Sequence, residues 1–266
     1  MNDVLRQIVD STRSDLARDP INLPATEREA RLIAREREPH RFREQLSIAG
    51  TRIIAEIKSA SPSAGSIDKD PDVESNAREY ADGGAAAVSV VTEPHFFGGS
   101  RDWLSRAAAA SGLPVIMKDF IVDEAQIIRG AAARADAILL LASLLEAARI
   151  RDFIAVCREY GCDALVEVHD ELELDRAIDG GAEIIGVNNR DLRSFEVSLE
   201  TAERLGPMIP EGVIKVSESG IRTRDEIERL QSAGFSAFLI GESLMRSSER
   251  AGTILKLRRA GSEVSR

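Results

Sequence analysis

Pro114-Val115-Ile116-Met117-Lys118, then a polar loop, then an alanine-rich stretch from Asp123 to Ala133, then Ala137-Ile138-Leu139-Leu140-Leu141: this segment decides the fold. The two short runs are apolar at successive positions rather than alternating with polar ones. A strand apolar on both faces belongs in a parallel sheet covered on both sides. The stretch between them has helical length, and Asp123 ahead of Glu124 is a helix start signal. The unit reads strand, helix, parallel strand.

The same unit recurs in both directions along the chain. Upstream lie Arg52-Ile53-Ile54-Ala55-Glu56-Ile57-Lys58 and Ala86-Ala87-Val88-Ser89-Val90-Val91. Downstream lie Ala164-Leu165-Val166-Glu167-Val168, Glu183-Ile184-Ile185-Gly186-Val187-Asn188, Val213-Ile214-Lys215-Val216-Ser217-Glu218 and Ala237-Phe238-Leu239-Ile240-Gly241. Helical stretches follow at Leu144 to Tyr160, Glu171 to Asp179 and Thr223 to Ala233, and glycines such as Gly161, Gly180-Gly181 and Gly234 close them. Eight alternating units with right-handed crossovers predict an α/β protein with a single (β/α)8 TIM barrel; a doubly wound open sheet is the alternative.

Residues 1–48 depart from the repeat. They are charge-dense (Glu27-Arg28-Glu29-Ala30-Arg31, Arg35-Glu36-Arg37-Glu38), with Leu5, Ile8, Val9 and Leu16 at helical spacing. An N-terminal helical extension is expected, packed as a layer over one barrel end. Residues 49–266 then form the barrel, and with no low-complexity linker between them the two make one structural domain.

A net charge of −10 argues against a general nucleic-acid or anionic-membrane surface, though not against a local basic pocket for a small anion. No apolar run approaches the roughly 18 residues of a membrane span, and no apolar signal core opens the chain, so a cytoplasmic protein is expected. Cys157 and Cys162 are spaced poorly for zinc and only three histidines could complete such a site. Reduced structural thiols, no metal and no cofactor are expected.

Barrel active sites sit at the strands' C-terminal ends. There this sequence places Glu56 and Lys58, two apart and on one inward face, then Lys118 with Asp119-Phe120, Glu167, Asn188-Asn189-Arg190 and Ser217-Glu218-Ser219-Gly220. Each has a bland reading: Lys118 snorkelling, Glu167 on a surface alternation, Arg190-Asp191 as a turn pair, Glu56-Lys58 as a structural pair. Two lysines and three carboxylates at one barrel end are costly as mere packing. Ser219-Gly220 and Gly241-Glu242 occupy the usual barrel phosphate position, where backbone N–H groups meet an anion. A side chain at Gly241 is expected to take the phosphate's space. Ser61-Pro62-Ser63-Ala64-Gly65 offers hydroxyls on a turn.

Glu56-Ile57-Lys58-Ser59-Ala60-Ser61-Pro62-Ser63 resembles the first-strand signature of indole-3-glycerol phosphate synthases. Phe96-Phe97-Gly98-Gly99-Ser100, Met117-Lys118-Asp119-Phe120-Ile121-Val122, Glu167-Val168-His169, Asn188-Asn189-Arg190-Asp191-Leu192, Ser217-Glu218-Ser219-Gly220-Ile221 and Ile240-Gly241-Glu242-Ser243-Leu244-Met245 are similar to the family's later motifs, in order. The resemblance spans essentially the whole chain. It implies conversion of 1-(2-carboxyphenylamino)-1-deoxyribulose 5-phosphate to indole glycerol phosphate, carbon dioxide and water, a carboxy-lyase step of tryptophan biosynthesis on a small anionic sugar phosphate. Lys118 is then the general acid on the substrate ketone, and Glu167, Glu56 and Lys58 the acid–base set for dehydration, their division left open. Lys58 and Arg190 are implied for the anthranilate carboxylate, Asn188 and Glu218 for sugar hydroxyls, Phe120 for stacking and Ser61 for substrate contact. Ser219, Gly220, Gly241 and the Glu242 backbone are implied for the phosphate. The sequence departs at Glu242, a serine in some members, and at Ala64, often lysine. A phosphoribosylanthranilate isomerase would need a Cys–Asp pair at strand ends, which Cys157 and Cys162 do not provide. A catalytically silent phosphate-binding barrel would lack Lys118 or Glu167.

Overall fold

The computed structural model describes residues 3–63, 65–191 and 194–259; Ala64 and Leu192 fall outside them. Eight parallel strands close into a barrel: β1 (Arg52–Ile57), β2 (Ala87–Val91), β3 (Val115–Lys118), β4 (Ala137–Leu141), β5 (Asp163–Val168), β6 (Ile184–Asn188), β7 (Ile214–Glu218) and β8 (Ala237–Ile240), with β8 pairing back onto β1. The apolar runs of the sequence are these strands, and the closed barrel replaces the open-sheet alternative.

Period-two alternation sorts each strand's residues. Val88, Val90, Val115, Ile138, Leu140, Val166, Ile185 and Val187 face outward and pack under the helices. Ile54, Ala87, Ile116, Ala137, Leu139, Leu165, Val216 and Leu239 face inward and fill the barrel. Continuing each inward row toward the strand's C-terminus brings Glu56, Lys118, Glu167, Asn188 and Glu218 to the rim. The β5–β6–β7 register sets Glu167 opposite Gly186 and Asn188 opposite Glu218.

The crossovers include α4 (Val73–Asp82), α5 (Asp102–Ser111), α6 (Glu124–Ala132), α7 (Ala147–Glu159), α8 (Glu171–Asp179), α9 (Glu200–Leu205) and α10 (Arg224–Ser232). Asp123 and Thr223 build complete capping boxes with Gln126 and Glu226. The helix expected from Leu144 begins three residues later, because Leu144 closes a turn with its N–H on the Leu141 carbonyl at 3.0 Å.

The extension does not cover one end of the barrel. It forms α1 (Asp3–Arg18), α2 (Leu23–Glu36) and α3 (Arg41–Ser47), and each goes somewhere different. α1 lies at the strands' C-terminal mouth, turning Leu5 and Ile8 inward, with Asp15 bonded to His95 at 2.6 Å. α2 runs along the flank beside α6, and Arg37, just past its end, pairs with buried Asp136 at 3.2 Å. α3 closes the opposite end, where Phe42 and Leu46 join the inner cluster with Ile54 and Ala87. The breaks at residues 19–22 and 37–40 split the charge-dense segment into three short pieces, so one layer becomes three separate contacts.

Candidate active site

At the C-terminal mouth a cavity of about 550 Å³ opens over the inner apolar rows. Every site residue proposed from the sequence lines it: Glu56, Lys58, Ser61, Lys118, Phe120, Glu167, Asn188, Arg190, Glu218, Ser219, Gly220, Gly241 and Glu242. All eight strands contribute to one chamber because each inward strand row ends there. Cys157 and Cys162 lie elsewhere, as free, buried thiols that desolvation pushes upward, Cys162 to about 11, which keeps them unreactive.

The chamber's floor is a charge cluster. Lys118 Nζ donates to Glu167 Oε2 at 3.2 Å and makes a short contact with Glu218 Oε2. Beside it Lys58 Nζ donates to Glu56 Oε1 at 2.7 Å, an ion pair that itself lines the cavity. Burial alone would push Lys118 down, but Glu218, Glu167 and Glu56 together hold it well above the usual lysine range. The carboxyls diverge. Burial would raise Glu167, yet Lys118, His169 and Asn188, whose amide donates at 3.1 Å, hold it well below the carboxylate range. Burial would likewise raise Glu56, and Lys58 with Lys118 keeps it low. Glu218 goes the other way. Burial outweighs Lys118, and nearby Glu167 adds repulsion, so Glu218 is pushed up to about 7. Its Oε1 is buried without a partner against Gly186, where an added methyl would overlap it.

Around this floor the walls differ in character. Phe97 and Phe120 pack tilted with ring centroids 5.9 Å apart, forming an aromatic side with Leu139, Leu141 and, from α1, Leu5 and Ile8. Arg190 is steadied by donating to the Phe195 carbonyl at 3.2 Å, while its N–H reaches Asn188 Oδ1 at 3.0 Å. Asn189 points away from the cavity. Its amide donates to Ser217 Oγ and the Ser219 carbonyl, and its Oδ1 accepts from the Ala202 N–H, so it braces two site loops. Ser219 adopts φ 65°, an unfavourable conformation for a residue with a side chain, next to Gly220 at φ 81°.

Gly241 corrects one expectation. Its φ is −120°, so no left-handed requirement exists there, and a Cβ would strike Glu56 Oε1 and crowd Lys58 Nζ. The glycine makes room for the Glu56–Lys58 ion pair. Glu242 is partnered by Arg246 at 3.2 Å, which offsets its charge.

Sequence reasoning did not single out Arg222, Arg246, Phe97 or α1 as parts of the site, yet all line the cavity. Phe97 stood inside a quoted motif; the arginines follow Gly220 and Gly241 by two and five residues, beyond the positions where strand ends draw attention. His169 was also in a motif but received no role. Its ring lies between Glu167 and Glu173.

Comparison with known proteins fits this geometry. Among solved structures the chain superposes on a 3-hexulose-6-phosphate synthase with a TM-score of 0.60 at 15% identity, covering 79% of this chain and 98% of that one. A thiamine phosphate pyrophosphorylase from Pyrococcus furiosus gives 0.59 at 16% identity, covering 81% and 95%. These show the barrel fold. By sequence, the indole-3-glycerol phosphate synthase of Koribacter versatilis is 44% identical over 260 residues, 97% of this chain and 99% of that protein. The synthase of Chlorobium limicola is 52% identical over 198 residues, covering 74% and 77%. A sequence model of the same family matches residues 5–257, from within α1 almost to the end of the last helix, so that the chain belongs to the indole-3-glycerol phosphate synthase family.

Proposed function

We propose that this chain closes the indole ring of 1-(2-carboxyphenylamino)-1-deoxyribulose 5-phosphate with loss of carbon dioxide and water, and that Lys118 is its general acid. The observation that carries this is the Lys118 ammonium held between Glu167 and Glu218 on the cavity floor. An ammonium kept charged in a desolvated chamber can donate to the alkoxide that develops as the aromatic carbon attacks the ketone. Release of carbon dioxide then restores aromaticity. Dehydration needs one donor for the departing hydroxide and one acceptor for a carbon-bound proton. Lys58, fixed by Glu56, serves as donor and Glu167 as acceptor; Glu218, ionising near neutrality, trades its proton with Lys118.

Binding follows the walls. The aromatic ring stacks at Phe120, its carboxylate meets Lys58 and Arg190, and Asn188, Ser61 and Glu218 meet the sugar hydroxyls. The phosphate lies at Ser219, Gly220, Gly241 and the Glu242 backbone, with Arg222 supplying a cation on the same wall and Arg246 balancing Glu242. A small sugar phosphate as partner and a cytoplasmic location complete the proposal.

The test is direct incubation with the anilino-deoxyribulose phosphate, following indole fluorescence. Lys118→Ala should lower kcat by about 10²–10⁴-fold, the usual range for a general acid, with the fold retained by circular dichroism. Turnover within threefold of the parent would remove Lys118 from the mechanism.

A further inference from the structure

His169 sits just past β5, one residue beyond Val168, and its side chain is largely buried. Glu173, in the first turn of α8, fixes one side of the ring. Its Oε2 accepts from the His169 backbone N–H at 2.9 Å and lies 2.9 Å from Nδ1, while its own N–H is capped by Asp170 at 2.9 Å. An oxygen already accepting from the backbone requires Nδ1 to be a second donor. On the other side Nε2 faces Glu167 Oε1 at 3.3 Å, buried and outside hydrogen-bond alignment with any partner. A bare Nε2 lone pair against a carboxylate oxygen would be repulsive, so the geometry calls for a proton on this nitrogen too. A doubly protonated ring between two carboxyl groups is the arrangement this geometry favours.

We propose that His169 is a positioning residue for Glu167: anchored by Glu173, it holds Glu167 Oε1 in the barrel wall and leaves Oε2 as the oxygen that works in the cavity. The two oxygens of Glu167 are divided in this way. Oε1 receives the Asn188 amide and the His169 charge, whereas Oε2 faces Lys118. The role presupposes that Glu167 acts in the reaction proposed above. It also supplies something Lys118 cannot. When Lys118 gives its proton to the substrate, Glu167 loses one compensating cation, and His169, which does not line the cavity, keeps the other in place. The charged groups around the pair are Glu173 from α8 on the histidine side, with Lys118 from β3, Glu218 from β7 and Glu56 from β1 on the Glu167 side. Burial would lower the imidazole, yet the two glutamates raise it to about 10, in keeping with the geometry.

Two readouts on the full-length protein separate this from a structural role. The chain has three histidines, so ¹⁵N spectra of the imidazoles are readily assigned by loss of one set in His169→Gln. His169 should remain doubly protonated at pH 8 in the parent, and Glu173→Gln should bring its titration down. A neutral His169 ring at pH 7 in the parent would overturn the proposal, whatever the enzyme's activity. In turnover, His169→Gln should lower kcat by about 10²-fold, the cost of a misplaced reacting group, with KM within threefold. It should also move the acidic limb of the kcat profile upward by about one unit or more, since a carboxylate that loses a neighbouring cation becomes easier to protonate. Glu173→Gln, which keeps the side-chain shape, should shift that limb in the same direction and serves where the histidine variant folds poorly. A kcat within threefold together with an unmoved limb in both variants would sink the idea. If Glu167→Gln instead turned over at the parent rate, the catalytic assignment of Glu167 would fall while the ionisation of His169 still stood on the spectra.

Discussion

Glu218 places one oxygen on Lys118 Nζ and buries the other against Gly186 with no donor to meet it. That imbalance has a measurable consequence for stability. Its native ionisation near 7 lies above the unfolded value of 4.5, so between these pH values the folded protein keeps a proton that the unfolded chain has released. Folding is thus penalised progressively as pH rises through this window, and the penalty is complete above about pH 7. Glu218→Gln retains an acceptor for Lys118 and removes the titration. Relative to the parent, the variant should gain stability between pH 5 and pH 8, by up to roughly 3 kcal/mol. Parallel denaturant titrations at the two pH values measure this, and a stability difference that does not change with pH would refute it. Residue types and spacing identified Glu218 and Lys118 as inhabitants of a barrel rim. Their unequal sharing of a proton was not legible, because it depends on which oxygen finds a partner and on the absence of a side chain at Gly186. The roles of Gly186 and Gly241 were hidden for the same reason: each is small because of a carboxylate distant in sequence.

Among the elements, the strands were the most legible. A strand buried on both faces leaves an uninterrupted apolar run that few other structures produce. The helices α6, α8 and α10 match the stretches read from the sequence to within their caps, with Asp123 marking the start of α6 and Gly180-Gly181 and Gly234 closing α8 and α10. The extension was legible as helical but not in its placement. Amphipathic periodicity says that a helix has a partner and not which one, and here three helices chose three surfaces. We propose that residues 1–48 and 49–266 form a single folding unit, because α3 completes the barrel's inner cluster. Phe42 is fully buried there. Phe42→Ala should cost about 3–5 kcal/mol of stability, the usual loss for emptying a buried aromatic site. Its kcat should stay near the parent value at 25 °C, since the cavity lies at the opposite end. A loss below 1 kcal/mol in urea unfolding would show that α3 is an accessory rather than the plug of the barrel.

For the molecule as a whole, the proposed chemistry uses an ammonium, carboxylates and backbone N–H groups, and among the described residues no group of three or more His, Cys, Asp or Glu side chains is arranged to hold a metal ion. Turnover should therefore run at full rate in excess chelator, and a loss restored by a divalent ion would reveal a site outside this scheme. Within the described residues no helix is long and apolar enough to cross a membrane. What the sequence determined by itself was the repeat, and with it the barrel, since eight doubly buried strands joined by helices have few ways to close. It also determined which residues reach the rim, because alternation along a strand is set by covalent geometry. Only the tertiary structure decided the rest: that α1 roofs the cavity and α3 seals the far end, that Arg246 answers Glu242, and that His169 stands between Glu167 and Glu173. Those outcomes depend on register, closure and side-chain direction. These bring together groups from separate elements, and no local pattern in the chain encodes the distance between them.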